Sequence, residues 1–308
     1  MRSPSGTRAG QQGLALIVAM LVAALAAAVA VSLATGESIW SSRVLHRREQ
    51  VQAQSIAQAG VQWARQILDA DGRAGPIDSL NEPWALPLPA TPIENGTVEG
   101  DIVDAQGLLN VNDLASATHG SAEQRRFARL LAGLGLPASA LPPIVAWVTA
   151  RERAASTPGA VLAPGGRPAG DPGRSDALRV QELAEVPGMT PATLAALLPR
   201  VAALPVDVPL NVNTAAPELL AASIANLDPT ALAALVSSRR DHPFTSVADF
   251  RARLPARASL GDETMYSVAS HYFLVSVRAR QGETLAQAHA LIERSGNGWP
   301  SIVWQTIE

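Results

Sequence analysis

The feature that most constrains this chain is a long apolar run near its N-terminus. From Leu14 to Ala34 no side chain is charged, and no charge occurs between Arg8 and Glu37. About 20 apolar residues cross the hydrocarbon of a bilayer, where the backbone must satisfy its own hydrogen bonds as a helix. The run therefore predicts a single transmembrane helix. A cleaved signal peptide is the alternative, although its apolar region is usually only about 7–15 residues long.

The helical pattern continues beyond this run. Apolar residues recur at three-, four- and seven-residue steps among polar ones, and no proline occurs between Leu14 and Pro76. One helix over residues 14–68 is predicted, half of it in the membrane. Arg2 and Arg8 precede the run and favour a cytoplasmic N-terminus, so we expect the rest of the chain outside the cytoplasm. The apolar positions of the second half are Trp40, Val44, Val51, Ile56, Trp63, Ile67 and Leu68.

Composition excludes several classes of function. The 24 basic and 27 acidic residues give a net charge of -3, and cysteine is absent. Disulfides, thiol nucleophiles and cysteine metal sites are therefore ruled out. The five histidines lack metal-binding spacing, and the chain has neither a nucleophile elbow nor a phosphate-binding glycine loop. We expect neither an enzyme nor a bound metal.

At the N-terminus a short hydrophilic leader ends in Gly13, and the apolar helix begins directly at Leu14. This arrangement resembles that of type IV prepilins and type II secretion pseudopilins. The resemblance implies that prepilin peptidase cuts between Gly13 and Leu14 and methylates the new N-terminus. The fifth residue of the mature chain is then Val18, where most members carry glutamate. Its absence is typical of the K-type minor pseudopilin, which has no subunit above it.

A second group of motifs lies further along the chain. Residues 98–114 predict a strand pair that turns around Gln106–Gly107. The stretch is similar to the K-type pattern, in which a Trp-Ala turn precedes an aspartate strand, a glycine turn and an Asn-x-Asn-x-Leu strand. The residues that match this pattern are Trp84, Asp104, Gly107, Asn110, Asn112 and Leu114.

Two units of the following region, residues 180–198 and 210–254, resemble helix-hairpin-helix repeats. The first turns at Pro187–Gly188, where glycine permits a positive φ. The second begins with Leu-Asn-Val-Asn, and the next residue, Thr214, is predicted to cap a helix. Similar repeats occur in the K-type insert and in DNA-uptake receptors. The asparagines of this second unit are Asn211 and Asn213.

A membrane-anchored DNA-binding or DNA-uptake protein, or a type IV pilus minor pilin, is therefore the alternative. Residues 177–255 carry six arginines against seven acidic residues. Phosphate binding needs clustered cations. We therefore expect no nucleic-acid partner.

The resemblance also raises the question of calcium. In the family, aspartates around a tryptophan and a later glutamate typically bind this ion, which needs oxygen ligands. Here Trp147 is present, but Thr149 and Arg151 stand at aspartate positions and Val161 stands where glutamate is expected. We therefore expect no cofactor.

Together these patterns predict an α+β protein. Residues 266–278 and 285–294 alternate in polarity as half-buried strands do. A pilin-like N-terminal helix, half transmembrane and half soluble, is expected to pack on a small antiparallel sheet, with a large all-α insert. The predicted segments are a leader at 1–13, a transmembrane helix at 14–36, a pilin-like domain at 37–121 and 263–308, and a helical insert at 122–262.

The order of the motifs resembles the K-type minor pseudopilin of type II secretion along nearly the whole chain. The resemblance implies a single-pass protein of the inner membrane, with a cytoplasmic N-terminus and a periplasmic body. Its implied partners are the I-type and J-type minor pseudopilins, the major pseudopilin filament and prepilin peptidase. The expected function is to form a tip complex that initiates and caps the periplasmic pseudopilus for protein export across the outer membrane.

Overall fold

The protein combines one long helix, a five-stranded antiparallel sheet and a body of short helices. This confirms the predicted α+β class. The computed structural model describes residues 9–155, 179–296 and 298–308, and at residues 9–15, 30–43 and 154–155 it describes the backbone alone.

Helix α1, Ala9–Ala74, runs for 66 residues. At 1.5 Å per residue it is roughly 100 Å long, and it includes the whole helix predicted for residues 14–68. It stops two residues before Pro76, because proline disfavours a helical residue before it. Among the described residues, no helix combines the length and the hydropathy that crossing a membrane requires. The membrane span therefore stays a prediction.

The main sheet is antiparallel. Strands are numbered along the chain, and those of this sheet are β1 Leu88–Ile93, β2 Gly96–Asp104, β7 Tyr272–Gln281, β8 Thr284–Glu293 and β9 Ser301–Ile307. Their order in space is β1-β2-β7-β8-β9. Two tight turns have positive φ, 59° at Asn95 and 54° at Gly282. Asparagine and glycine tolerate this conformation better than other residues.

Small side chains allow α1 to lie close against the sheet. At Gly60 an added Cβ would lie 2.6 Å from Cγ1 of Val277, so any larger residue would separate helix and sheet. On β7 and β8 every second residue faces the helix. The buried stripe of α1 consists of Ala53, Ala57, Val61, Ala64 and Leu68.

The second core lies in the body of short helices, between residues 109 and 268. Polar side chains satisfy the free N–H groups at several helix starts. Asp228 Oδ1 accepts from Ala231 N at 2.9 Å, and Thr190 Oγ1 accepts from Thr193 N at 3.1 Å. The α-helices of this body are α2 Gly120–Gly133, α3 Leu141–Ala155, α4 Pro191–Leu197, α5 Pro217–Ser223, α6 Pro229–Asp241 and α7 Val247–Ala252.

Two short parallel strand pairs connect distant parts of the body. Strand β3, Leu109–Asn110, pairs with β4, Val201–Ala202, and β5, Leu210–Asn211, pairs with β6, Tyr266–Ser267. Each strand has only two residues. These pairs therefore supply few backbone hydrogen bonds, and side chains must supply the others.

The body also packs on the sheet face opposite α1. Ala202 and Leu204 of the body form a small buried cluster with Leu291 of β8, whereas the next residue, Ile292, belongs to the cluster that contacts α1. Because neighbouring residues of a strand face opposite ways, α1 and the body lie on opposite sides of the sheet. The domain boundaries expected from the sequence stay predictions.

The strand pair predicted around Gln106–Gly107 is wrong. Strand β2 ends at Asp104, whose carboxylate accepts a hydrogen bond from Gln106 N at 2.8 Å. This bond turns the chain into a 3₁₀ helix, Ala105–Gly107. The strand that follows the turn pairs in parallel with β4 and not with β2.

The cap predicted at Thr214 is also wrong. Helix α5 follows Ala216, whose side chain makes no capping bond, and Thr214 Oγ1 donates to Asp104 Oδ2 at 2.5 Å instead. In the first helix-hairpin-helix unit only the second segment is α-helical. The first segment is a 3₁₀ helix, Val180–Glu185.

Candidate functional site: a buried junction and an exposed helix face

Asp104 lies where the chain leaves the sheet for the helical body. Only 3 % of it is exposed. Burial raises the pKa of Asp104 to about 6, although hydrogen bonds donated by Ser270, Thr214 and Gln106 act in the opposite direction. One carboxylate thus connects β2 to the β5 region and to the segment before β7. Its donors are Gln106 N at 2.8 Å, Asn211 Nδ2 at 3.0 Å, Thr214 Oγ1 at 2.5 Å and Ser270 Oγ at 2.6 Å.

The four motif asparagines belong to two copies of one tetrapeptide. Residues 109–112 and 210–213 both read Leu-Asn-Val-Asn, and each copy begins in a two-residue strand. In both copies the first asparagine accepts a hydrogen bond from the backbone N of the second, at 3.1 Å and 2.9 Å. This repeat is visible in the sequence, but it was missed above, where each copy was matched to the family separately.

The first copy, at residues 109–112, joins β3 to the segment after β4. Asn110 is buried and exchanges hydrogen bonds with that segment, accepting from Leu204 N at 3.0 Å and donating to Pro205 O at 2.7 Å. Asn112 Nδ2 donates to Leu204 O at 2.7 Å. These side chains replace the ladder that a longer strand would provide.

The second copy, at residues 210–213, has a wider reach. Asn211 Nδ2 donates to Asp78 O at 3.1 Å and to Ser270 Oγ at 2.9 Å, in addition to Asp104. Asn213 exchanges two bonds with the backbone of Phe244, at 3.0 Å and 2.8 Å. The copy therefore connects the helical body to the loop after α1.

Two further motif residues have clear structural reasons. A Cβ at Gly107 would lie 2.7 Å from Oγ1 of Thr214, which is the hydroxyl that binds Asp104. A larger residue would therefore disrupt the junction. Trp84 is 1 % exposed, and its ring packs edge to face on Phe273, with 5.3 Å between the ring centroids. Its Nε1 donates a hydrogen bond to Glu82 Oε2 at 2.6 Å.

An ion-pair cluster closes the end of α1. Arg294 is 8 % exposed and donates to Asp71 Oδ2 at 2.6 Å, to Asp78 Oδ1 and to Ser270 O at 2.9 Å. Oxygens of Asp71, Asp78 and Glu82 lie within 4.8 Å of one another, a spacing that suits a cation. The guanidinium of Arg294 already supplies the positive charge there. Burial raises the pKa of Asp71 to about 6, although the hydrogen bond from Arg294 lowers that pKa in part.

The remaining predicted site residues do not join this junction. Gly188 has φ of 81° and turns the chain after Pro187, as predicted. Trp147 lies at the edge of the helical core, with the Arg151 guanidinium 4.9 Å from its ring centroid. The backbone at Gly13 and Leu14 is part of helix α1, and the side chain of Val18 is exposed. Val161 lies outside the described residues.

The outer face of α1 is the candidate assembly surface. The sheet covers one side of the helix, so Leu68 of the predicted apolar stripe is buried, whereas Trp63 is 49 % exposed. Beyond residue 43, the large exposed apolar residues of α1 lie on the side of the helix away from Ala53 and Val61. They are Val44, Leu45, Val51 and Trp63.

Sequence comparison identifies the family of this chain. Residues 107–206 and residues 210–269 match sequence models described as type II secretion system (T2SS), protein K. Type II secretion system protein K of Pseudomonas aeruginosa is 31 % identical over 313 aligned positions, which cover 94 % of this chain and 91 % of that protein. This chain belongs to the protein K family.

A solved structure of a protein K complex has the same fold. It is the GspK-GspI-GspJ complex from the type 2 secretion system of enterotoxigenic Escherichia coli, with a TM-score of 0.68 and 22 % identity. The match covers 86 % of this chain and 99 % of the other chain. This likeness supports the long helix, the antiparallel sheet and the helical insert as the protein K architecture.

The family assignment decides between the two functions left open by the sequence. Protein K is a minor pseudopilin of type II secretion, a structural role, so the DNA-binding alternative is not favoured. For a structural subunit, the features that matter are the surfaces that meet neighbours and the interactions that fix those surfaces. In this chain the candidates are the outer face of α1 and the Asp104 junction.

The junction predicts a stability defect for Asp104→Asn. The substitution keeps the shape but places an NH₂ group among donors, and each unsatisfied buried group costs about 1–3 kcal/mol. We expect the thermal midpoint of the purified protein in detergent, followed by circular dichroism, to fall by roughly 5 °C or more. Asp101→Asn, an exposed aspartate on the same strand, is the matched control and should melt as the wild type. Equal midpoints for both variants would contradict the role of Asp104.

Proposed function

We propose that this protein K chain is the tip subunit of the pseudopilus, in a complex with I-type and J-type minor pseudopilins. The observation that carries the proposal is the division of α1 into a face covered by its own sheet and an exposed face that carries the large apolar residues Val44, Val51 and Trp63. Large apolar residues left exposed on the free side of a helix are typical of helices that pack against a partner. The solved complex of the E. coli relative, which contains GspK, GspI and GspJ, supports the choice of partners.

The position at the tip follows from the size of the helical body. The body packs on the sheet face opposite α1, so it widens the subunit without covering the outer face of the helix. In a filament built by close packing of α1 helices, a body of this width would overlap a subunit stacked above it. A subunit at the end of the filament has no such neighbour. This role in initiating and capping the filament accounts for the large insert.

We further propose that α1 anchors the protein in the inner membrane, with its N-terminus in the cytoplasm and its body in the periplasm. The uncharged run between Arg8 and Glu37 supports the anchor. The backbone of α1 is helical through Gly13 and Leu14, and prepilin peptidase is proposed to cut between them. The mature chain would then begin with the apolar helix and meet the major pseudopilin filament through it.

The proposed assembly predicts that Trp63→Ala weakens the complex. Buried tryptophans at protein interfaces often contribute about 2 kcal/mol or more, so binding to the I-type and J-type partners should fall roughly 30-fold. The measurement is pull-down and titration of the full chain in detergent with the two partners. Val103→Ala is the control, because Val103 is exposed to a similar extent, 41 % against 49 %, but its neighbour Ile102 packs on the α1 side, so Val103 lies on the opposite face of the sheet. If both variants bind as the wild type, the helix face is not the interface.

The proposed processing predicts a defined N-terminus. Mass spectrometry of the chain extracted from membranes should find an N-methylated residue at Leu14. Gly13→Val should block cleavage, because the peptidase would no longer meet glycine before the cut, whereas Gly10→Val leaves that position intact and should be processed normally. A mature N-terminus near residues 32–36 would show that the apolar run is a cleaved signal, and would contradict the proposed anchor.

We also propose that this chain has no structural calcium. Arg151 stands at an aspartate position of the family pattern, and its guanidinium lies over the Trp147 ring and pairs with Glu182 at 2.7 Å. A positive side chain in this place repels a divalent cation. Thr149, at the other aspartate position, supplies no charged oxygen.

The calcium proposal predicts an unchanged melting curve. A site filled at a hundred times its dissociation constant would add about 2.7 kcal/mol to stability. We expect millimolar calcium to move the thermal midpoint no more than the same concentration of magnesium does. A rise of several degrees that is specific to calcium and reversed by EDTA would show that other residues bind the ion.

A further inference from the structure

The two edge strands of the main sheet, β1 and β9, differ in their capacity to pair with a further strand. The β1 edge contains Pro89 and Pro92 and has an irregular register between Leu88 and Thr91. Prolines and bulges at an edge prevent further strand pairing. The β9 edge, Ser301–Ile307, contains no proline, and the sequence from Ser295 to Ile307 has no charge. Among the described residues no further strand pairs with β9, and this edge lacks the features that block pairing at β1.

The register of β9 shows which of its backbone groups face away from β8. Glu308 and Gln287 exchange both N–H···O bonds, at 2.8 Å and 2.9 Å, so they form a hydrogen-bonded pair. In an antiparallel sheet, hydrogen-bonded pairs alternate with non-hydrogen-bonded pairs. Gln305 lies opposite Ala290 and Ile307 lies opposite Ala288, and both are non-hydrogen-bonded pairs. The N–H and C=O groups of Gln305 and Ile307 therefore point away from β8.

The side chains of β9 are also accessible. None of its seven residues is fully buried, although β7 and β8 each have buried residues at alternate positions. Trp304 Nε1 and Gln305 Nε2 are shielded from solvent and have no hydrogen-bond partner among the described residues. Because these two donors are shielded, an added strand would bind through the outward backbone groups of β9.

Two arginines give this edge a charge preference. Arg65 of α1 lies 5.4 Å from the centroid of the Trp299 ring and donates to Pro300 O at 2.7 Å. Arg179 lies 5.8 Å from the centroid of the Trp304 ring, on the sheet face away from α1. Among the described carboxylates, none forms an ion pair with either arginine. A strand added to β9 would therefore lie between two positive groups, one on each face of the sheet.

We propose that the β9 edge binds an extended segment of a partner polypeptide that carries acidic residues on both of its faces. The segment adds a sixth strand to the sheet through the backbone groups of Gln305 and Ile307, and its carboxylates pair with Arg65 and Arg179. Strand addition of this kind draws affinity from main-chain hydrogen bonds and specificity from side chains. It is separate from the outer face of α1, so a partner can bind here while α1 is in a filament.

A labelled peptide tests the proposal directly. The probe is Thr-Val-Glu-Val-Thr-Glu-Val-Thr, whose two glutamates face opposite ways in a strand. Its binding to the full chain in detergent is measured by fluorescence anisotropy. The control peptides replace both glutamates by lysine, or the central valine by proline. We expect the acidic peptide to bind and both control peptides to bind at least about tenfold more weakly.

Variants of the chain locate the binding site. Gln305→Pro removes an N–H that makes no bond to β8, so the sheet should remain intact while peptide affinity falls roughly tenfold. Gln305→Thr keeps the N–H and should bind as the wild type. Ile307→Pro removes the other outward N–H. It replaces Gln305→Pro as the test variant if Gln305→Pro does not fold. Arg65→Gln and Arg179→Gln should each weaken the acidic peptide about threefold, and less at high salt.

Three results would overturn the proposal. The first is that the acidic peptide binds no better than the control with a central proline. The second is that its binding is unchanged in Gln305→Pro and Ile307→Pro. The third is that the chain self-associates in a manner abolished by Gln305→Pro, because the occupant of the edge would then be a second copy of this chain.

Discussion

A single buried carboxylate links the two cores of this protein K chain. The chain passes from the sheet to the helical body after β2 and returns before β7, and Asp104 accepts hydrogen bonds from both crossings, through Gln106 and Ser270. A buried acceptor must be satisfied, because an unpaired one costs as much as a hydrogen bond gains. Separating the body from the sheet would break several of these bonds together. Asp104 therefore helps to fix the orientation of the body on the sheet.

The two Leu-Asn-Val-Asn copies extend the same principle. Strands β3 to β6 have two residues each and can form only a few ladder bonds. Buried asparagines provide both a donor and an acceptor in a planar group, so Asn110 and Asn211 bind backbone groups of neighbouring segments as another strand would. Gly107 is required beside them, because a Cβ would displace the Thr214 hydroxyl. The family motif is thus a set of polar contacts within the fold.

The parts of the fold that sequence reasoning predicted are those with local periodicity. Helix α1 has a continuous apolar pattern and no proline, and β7 and β8 alternate in polarity with a glycine turn between them. These signals lie within a few residues of each other. The motif residues were recognised by resemblance, but their contacts could not be predicted, because Asp104 and Asn211 are 107 positions apart in the chain.

The errors have the same physical origin. Thr214 has the sequence context of a helix cap, yet a buried carboxylate is a stronger acceptor for its hydroxyl than solvent is, and it binds Asp104. Strand β1 was missed because its prolines argue against a strand, although proline is tolerated at an edge. Strand β9 was missed because a short uncharged segment after two glycines has no period of its own. It becomes a strand only because β8 is available to pair with it.

The placement of the body explains how a wide subunit can still enter a filament. A pseudopilin must leave one side of its long helix free for neighbours, and an insert on that side would prevent assembly. In this chain the small residues of α1, from Ala53 to Leu68, bring the sheet against the opposite side of the helix. The body then packs on the far face of the sheet through Ala202, Leu204 and Leu291. The sheet therefore lies between the insert and the helix, so the insert can be large without covering the exposed outer face of α1.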